Sequence, residues 1–378
     1  MVYEDLKKNI KDLLLHLEKV TSIDAKVVMG LDGFVDQILH VVEKRTDANS
    51  YTRMNTLKAF GEMICNAAGL SANVEFIPIQ NKLGGNGPIM SNALSTYGLP
   101  ITYIGALGTP SIHSVFEPMS KKCNIISISN PGLTDAVEFL DGKLMIGKRE
   151  CLKDITWDNI KNTVGIENLT SLFEEATLVG LENWTMIPYM TDVWRGLINE
   201  VLPNLTSKDN KFVFFDLADP ENRVSEDILE ALSTLKEFSS KFRVILGLNQ
   251  KEAYEIGDTL KITENNSSLP LEELTIKIAE KLNIYCLVVH PVKEAVAVCN
   301  NKFYHTFGPY EANPKLTTGA GDNFNAGFCF GQILGLSPDL SLVMGTATSG
   351  FYVRNAHSPS LLELKNFLVD WFTNLNNL

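Results

Sequence analysis

Residues Pro314 to Phe328 read PKLTTGAGDNFNAGF. Three small residues, Gly319-Ala320-Gly321, stand directly before an acid, Asp322, and a long apolar run. From Asn323 the run NFNAGFCFGQILGL has the length and apolar spacing of a helix. The small residues therefore fall at a helix N-terminus. Backbone N–H groups there lack helical partners, and the helix dipole favours an anion. Without bulky side chains, a phosphate can approach the backbone closely. Asp322 stands where a carboxylate can accept the proton of a hydroxyl that attacks the phosphate. The same helix end should keep Asp322 ionised and only weakly basic. Taken alone, the stretch also reads as an ordinary Gly-rich turn before a helix, with Asp322 an N-terminal acid. The spacing of GAGDNFNAG departs from G-x-G-x-x-G, VVMGLDGFVD offers only Gly30 and Gly33, and no G-x-x-x-x-G-K-[ST] occurs.

Outward from this stretch the chain changes character near residue 155. ATLVGLEN, KFVFFDLAD, FRVILGLN and IYCLVVHP are apolar runs of strand length. Helix-like segments such as SEDILEALSTLKEF and PLEELTIKIAEKL separate them. Strands apolar on both faces and alternating with helices predict a parallel, doubly wound sheet. The first 150 residues differ. QILHVVEKR and NVEFIPIQ alternate apolar and polar residues, and AVEFLDG and KLMIGKR flank a hairpin signal at Asp141-Gly142. These pieces predict a small half-exposed sheet, a lid, with strands within about 37–80 and 123–150. The whole of 1–378 reads as one domain, and TENNSSLP reads as a solvated loop.

Composition narrows the function classes. The chain has 378 residues, 45% of them hydrophobic, which is ample for a large core. Lys plus Arg number 33 against 45 Asp plus Glu, a net charge of -12 that argues against a nucleic-acid partner. Six cysteines, at 65, 123, 151, 286, 299 and 329, form no C-x-x-C pair. They are expected to be buried thiols in a reducing compartment. The first twenty residues form an amphipathic helix pattern without a signal-peptide core. No apolar run approaches the roughly 20 residues of a membrane span. The expectation is a cytoplasmic protein with no membrane partner.

Four motifs then combine. TTGAGDNFNAGF, twelve consecutive residues, resembles the C-terminal signature of the ribokinase-like (PfkB) carbohydrate kinases. GGNGPIMSNALSTYGLP, Gly84 to Pro100, resembles their N-terminal signature. Asn249-Gln250-Lys251-Glu252 resembles their N-x-x-E motif, and GLDGFVD places Asp36 where the family has its sugar-binding acid. The resemblance implies a ribokinase-like three-layer α/β/α core with a mostly parallel central sheet and a small β-sheet lid. It implies an ATP- and magnesium-dependent phosphotransferase acting on a hydroxyl of a sugar or a nucleoside. Asp322 would be the general base, and Gly319, Ala320 and Gly321 the anion hole, with Thr318 beside the phosphates. Asp36, Gly84, Gly85 and Asn86 would hold the substrate. Asn249 and Glu252 would order magnesium and phosphate waters, Glu252 reaching the metal through water.

Some residues keep two readings. Asp32 is a second substrate acid or the stabiliser of a turn. Asn249 caps the helix after it or orders phosphate, or does both. Asn86 is a substrate contact or a loop residue. The sequence also departs from the family: Leu316 replaces the Asp that precedes TTGAGD, Ile89 replaces an Asn, and HPVKEAVAV carries no glycine. These changes favour altered contacts, or a regulatory homologue that binds without catalysis. An apolar lid strand such as NVEFIPIQ makes a homodimer through the lid an expectation.

Overall fold

The computed structural model describes residues 2–206, 211–262 and 269–376. Fourteen strands run through the described residues. They are β1 (Lys26–Leu31), β2 (Phe34–Arg45), β3 (Tyr51–Arg53), β4 (Phe76–Gly84), β5 (Ile101–Gly105), β6 (Cys123–Ser127) and β7 (Gly132–Glu138). Then come β8 (Lys143–Lys148), β9 (Ala176–Leu181), β10 (Phe212–Asp216), β11 (Arg243–Leu248), β12 (Cys286–Val289), β13 (Glu294–Cys299) and β14 (Lys302–Phe307).

Nine strands form one sheet in the order β14-β13-β12-β11-β10-β9-β1-β5-β6. Neighbours from β12 to β6 are parallel. β13 and β14 close the other edge as antiparallel strands. Side chains alternate across the sheet. Val28, Val213 and Phe215 enter one hydrophobic cluster with Phe173, Leu232, Ile256 and Ile278 of the flanking helices. Val27, Met29 and Phe214 enter another with Ile10, Leu94, Phe328 and Leu342. Helices therefore cover both faces, and the core is three-layered.

Five strands form the smaller sheet, the lid. β2 runs antiparallel to β4 and parallel to β7, and β8 pairs with β7. Leu39, Val41, Val137 and Phe139 give the lid a small core against Phe60 of the helix Leu57–Asn66. Only Asp32 and Gly33 separate β1 of the core from β2 of the lid. The residues at this junction thus lie where the two sheets meet.

Several expectations differ from the structure. Cys123–Ser127 was expected in the lid, but β6 pairs in parallel with β5 at the edge of the large sheet. An edge strand is half exposed, so its pattern imitates that of a lid strand. The cysteines are not six buried thiols. Cys286 and Cys299 oppose each other across β12 and β13 and are joined as a disulfide, and Cys65 is exposed. That pairing is set by strand register across 13 residues, which no C-x-x-C spacing signals. Most of TENNSSLP, residues 263–268, lies outside the described residues. Among the described residues no helix is long and apolar enough to cross a membrane.

Candidate active site

The helix Asn86–Thr96 begins directly after the Gly84-Gly85 pair. Its first N–H groups need acceptors. The Asn86 and Gly87 amides donate to the two Asp32 carboxylate oxygens, each at 3.0 Å. Asn183 Nδ2 donates to Asp32 Oδ2 at 2.7 Å, and the Tyr103 hydroxyl donates to the Asp32 carbonyl at 2.7 Å. Asp32 is 0% exposed. Burial pushes its pKa up to about 6, against these hydrogen bonds. Its role here is therefore to pin the Gly-Gly-Asn loop to the end of β1. Gly85, at φ 99°, has no room for a side chain: a Cβ would come 2.7 Å from Asp32 Oδ2.

Asp36 lies on β2, in register with Lys82 of β4 and Thr134 of β7, and hydrogen-bonds Thr134. Burial pushes its carboxyl above the ordinary range. Gly84 makes this placement possible, since a Cβ there would fall 2.5 Å from the Asp36 carboxylate.

The helix Ala320–Ile333 starts at Gly319, whose φ is 86°. This puts Gly319, Ala320, Gly321 and Asp322 at its first turn, with Thr318 before it. The Thr318 carbonyl accepts from the Tyr352 hydroxyl at 2.7 Å. Asn86 Nδ2 donates to Asp322 Oδ1 at 3.0 Å. Asp322 is buried, and its pKa rises to about 8, first through burial and then through the Asp32 charge. The expectation of a weakly basic, fully ionised acid is thus corrected. Loss of solvent outweighs the helix end, and Asp216 and Glu182 are further buried acids nearby.

The structure brings three cavities to this loop, the largest of about 600 Å³ and lined by Asp36, Ile89, Lys143, Leu316 and Thr318. Two more meet at the helix start. One, of about 390 Å³, is lined by Asp36, Gly85, Asn86, Thr318, Gly319 and Asp322. The other, of about 360 Å³, is lined by Asn249, His290, Thr317, Ala320 and Gly321. Residues of TTGAGD thus divide between these two: Thr318, Gly319 and Asp322 line the first, and Thr317, Ala320 and Gly321 the second.

Asn249 and Glu252 form a capping box for the helix Gln250–Thr259. Asn249 Oδ1 accepts from the Glu252 amide at 2.9 Å, and Glu252 Oε2 accepts from the Asn249 amide at 2.8 Å. Glu252 Oε1 accepts from the Asp219 amide at 3.0 Å. Both Glu252 oxygens are therefore engaged, and the side chain is buried. Asn249 reaches the second cavity; Glu252 does not line it. Among the described residues no three His, Cys, Asp or Glu side chains converge to hold a metal. Direct metal ligation by Glu252 does not fit this geometry.

Other residues of the site carry no motif. Lys143 Nζ on β8 donates to Thr318 Oγ1, and Arg149 lines the first cavity. Both cations come from the lid, and the hairpin signal at Asp141-Gly142 was their only trace in the sequence. Asn183 holds Asp32 from a left-handed backbone, φ 59°, which asparagine tolerates better than most residues. Among the described residues neither Glu182 oxygen has a hydrogen-bond partner, and burial raises its pKa far above the usual value.

A family model described as prokaryotic ketohexokinase matches residues 15–371. The chain belongs to the prokaryotic ketohexokinase family. A ketohexokinase of Haloferax volcanii is similar to it, 29% identical over 347 residues covering 90% of each chain. The fold of this ketohexokinase-family chain is shared with the ribokinase of Thermotoga maritima, at 16% identity and TM-score 0.60, covering 92% of this chain and 100% of that one. An E. coli structure of the ribokinase II type, solved in complex with ATP and Mg2+, aligns at 15% identity and TM-score 0.61, covering 92% and 99%. The chain is a ribokinase-like carbohydrate kinase and catalyses sugar phosphotransfer.

Proposed function

We propose that this chain transfers the terminal phosphoryl group of ATP to a hydroxyl of a ketohexose, with Asp322 as general base. The observation that carries this is the partition at TTGAGD. Asp322 faces the cavity that holds Asp36 and Asn86, while Ala320 and Gly321 face the other. A hydroxyl in the first cavity and a nucleotide in the second would meet across one helix N-terminus.

The chemistry follows from the chain's own groups. Asp36, an acceptor, takes hydrogen bonds from sugar hydroxyls, which are donors. The attacking hydroxyl gives its proton to an Asp322 oxygen as the new P–O bond forms and the bond to the ADP oxygen breaks. The Gly319 and Gly321 amides face the charge on the transferred group, while the Ala320 amide already donates to the Thr317 carbonyl at 3.1 Å. Lys143 and Arg149 add positive charge when the lid covers the site, and closure excludes water. Magnesium, brought by the nucleotide phosphates with its own waters, would neutralise phosphate charge. A hexose rather than a nucleoside acceptor is favoured by the Haloferax volcanii relative, a ketohexokinase. Purified protein with ATP and Mg2+ should release ADP with a ketohexose and far less with aldoses or nucleosides. Preference for a nucleoside in that panel would overturn the acceptor, and no ADP with any acceptor would overturn the activity.

A further inference from the structure

His290 follows β12 directly, and its amide donates to the Leu248 carbonyl at 3.0 Å, tying it to the end of β11. The segment after it, PVKEAVAV, starts with a proline and contains no glycine, so it offers an anion few free backbone donors. The His290 ring packs on Phe324 of the catalytic helix, with centroids 4.8 Å apart. It also stands over Gly321, where a Cβ would come 3.1 Å from His290 Cε1. The ring lines the second cavity beside Asn249, Thr317 and Ala320. Among the described residues no hydrogen bond joins this ring to the side chain of another residue. Burial lowers its pKa to about 4, against a hydrogen bond to its own backbone, so it is neutral at physiological pH. A neutral imidazole has one N–H, and a phosphate oxygen above Gly321 would take it from the backbone by selecting the tautomer that points it into the cavity.

We propose that His290 is a nucleotide-binding residue that donates a hydrogen bond to the phosphate chain of the donor beside Gly321. The phosphate it contacts is one that ADP retains, and anchoring it there aligns the terminal phosphoryl group of ATP with the hydroxyl at Asp322. Its neighbours Pro291 and Val292 give the cavity an apolar wall, so the imidazole is the polar group that strand end contributes. This rests on the reading that the second cavity takes the nucleotide.

The test is ADP binding by calorimetry, with KM for ATP and for the sugar measured separately, in wild type, His290→Phe, His290→Ala and His290→Gln. His290→Phe keeps a ring against Phe324 but removes the donor, so it separates binding from packing. The Phe and Ala variants should weaken ADP binding and raise KM for ATP about tenfold, the loss of one hydrogen bond to a charged group. KM for the sugar should stay unchanged, and His290→Gln should recover part of the loss. Wild-type affinity for ADP in His290→Phe overturns the assignment. So does a wild type that binds no ADP, and this outcome also removes the nucleotide cavity. ADP binding that depends on His290, without phosphorylation of any sugar, supports His290 and overturns only the proposed activity.

Discussion

Asn86 Nδ2 donates to Asp322 Oδ1 at 3.0 Å, joining the first residue of one helix to the first turn of another 236 positions away. Asp32 completes the arrangement by accepting the Asn86 amide. A carboxylate at the β1 end thus sets the loop, and the loop's side chain holds Asp322, the base proposed above. Asp322 lies in a buried environment that raises its pKa to about 8, and the Asn86 side-chain amide offsets part of that rise.

The first prediction concerns pH. The active form of Asp322 is the carboxylate, and its pKa stands near 8, so kcat/KM should climb as pH rises through about 8 and level off above it. Asn86→Ala removes a donor to the ionised form. A hydrogen bond to a charged group contributes about 1.5–3 kcal/mol, which moves the midpoint up by about one to two pH units. Rate profiles between pH 6 and 10 check this; a flat wild-type profile contradicts it.

Asp32 and Asp36 should separate cleanly. Asp32→Asn puts an NH2 group in place of one carboxylate oxygen, so at least one of the Asn86, Gly87 and Asn183 amide donors loses its acceptor, which should cost about 1–3 kcal/mol of stability. Asp36→Asn should melt near the wild-type temperature and raise KM for the sugar about tenfold or more. Denaturant melts and initial rates on both variants measure the contrast. The reverse pattern would return Asp32 to substrate binding.

The Asp322 carboxyl also couples folding to pH. Its folded pKa lies above the ordinary carboxylate value, so folding takes up a proton between about pH 4 and pH 8. Wild-type stability from this group is therefore lost as pH rises through that window. Asp322→Asn cannot ionise, so its gain in melting temperature over wild type should be small at pH 4 and largest at pH 8. Calorimetric melts at both values decide it; an equal gain at both contradicts the assigned environment.

Assembly is open to a direct check. The lid exposes Ile79 on β4 and Met145 and Ile146 on β8. Covering these apolar side chains with a second lid is the expected outcome, giving a dimer by light scattering that Ile79→Lys weakens. A monomer at all concentrations removes that expectation.

Much of the fold was legible because its signals are local. Runs such as FVFF and VILGL are apolar throughout because both faces are buried. The Gly319 to Asp322 stretch was legible because a helix start has a short-range signature. What the sequence did not disclose depends on tertiary placement. Lys143 reaches Thr318 because the lid folds back over the core, across 175 positions. Asp32 serves as a cap for a helix 54 residues later, and no turn signal encodes that distance. The basicity of Asp322 was misjudged for the same reason: the helix end is visible in sequence, while the burial that outweighs it is not.

The central claim is that Asp322 accepts the proton of a sugar hydroxyl during phosphoryl transfer. The most direct measurement is single-turnover phosphorylation of a ketohexose by Asp322→Asn at saturating ATP and Mg2+, with ADP and sugar binding measured alongside. The account predicts that turnover falls by about 10²–10⁴-fold while both ligands still bind. A variant that turns over at the wild-type rate would contradict it.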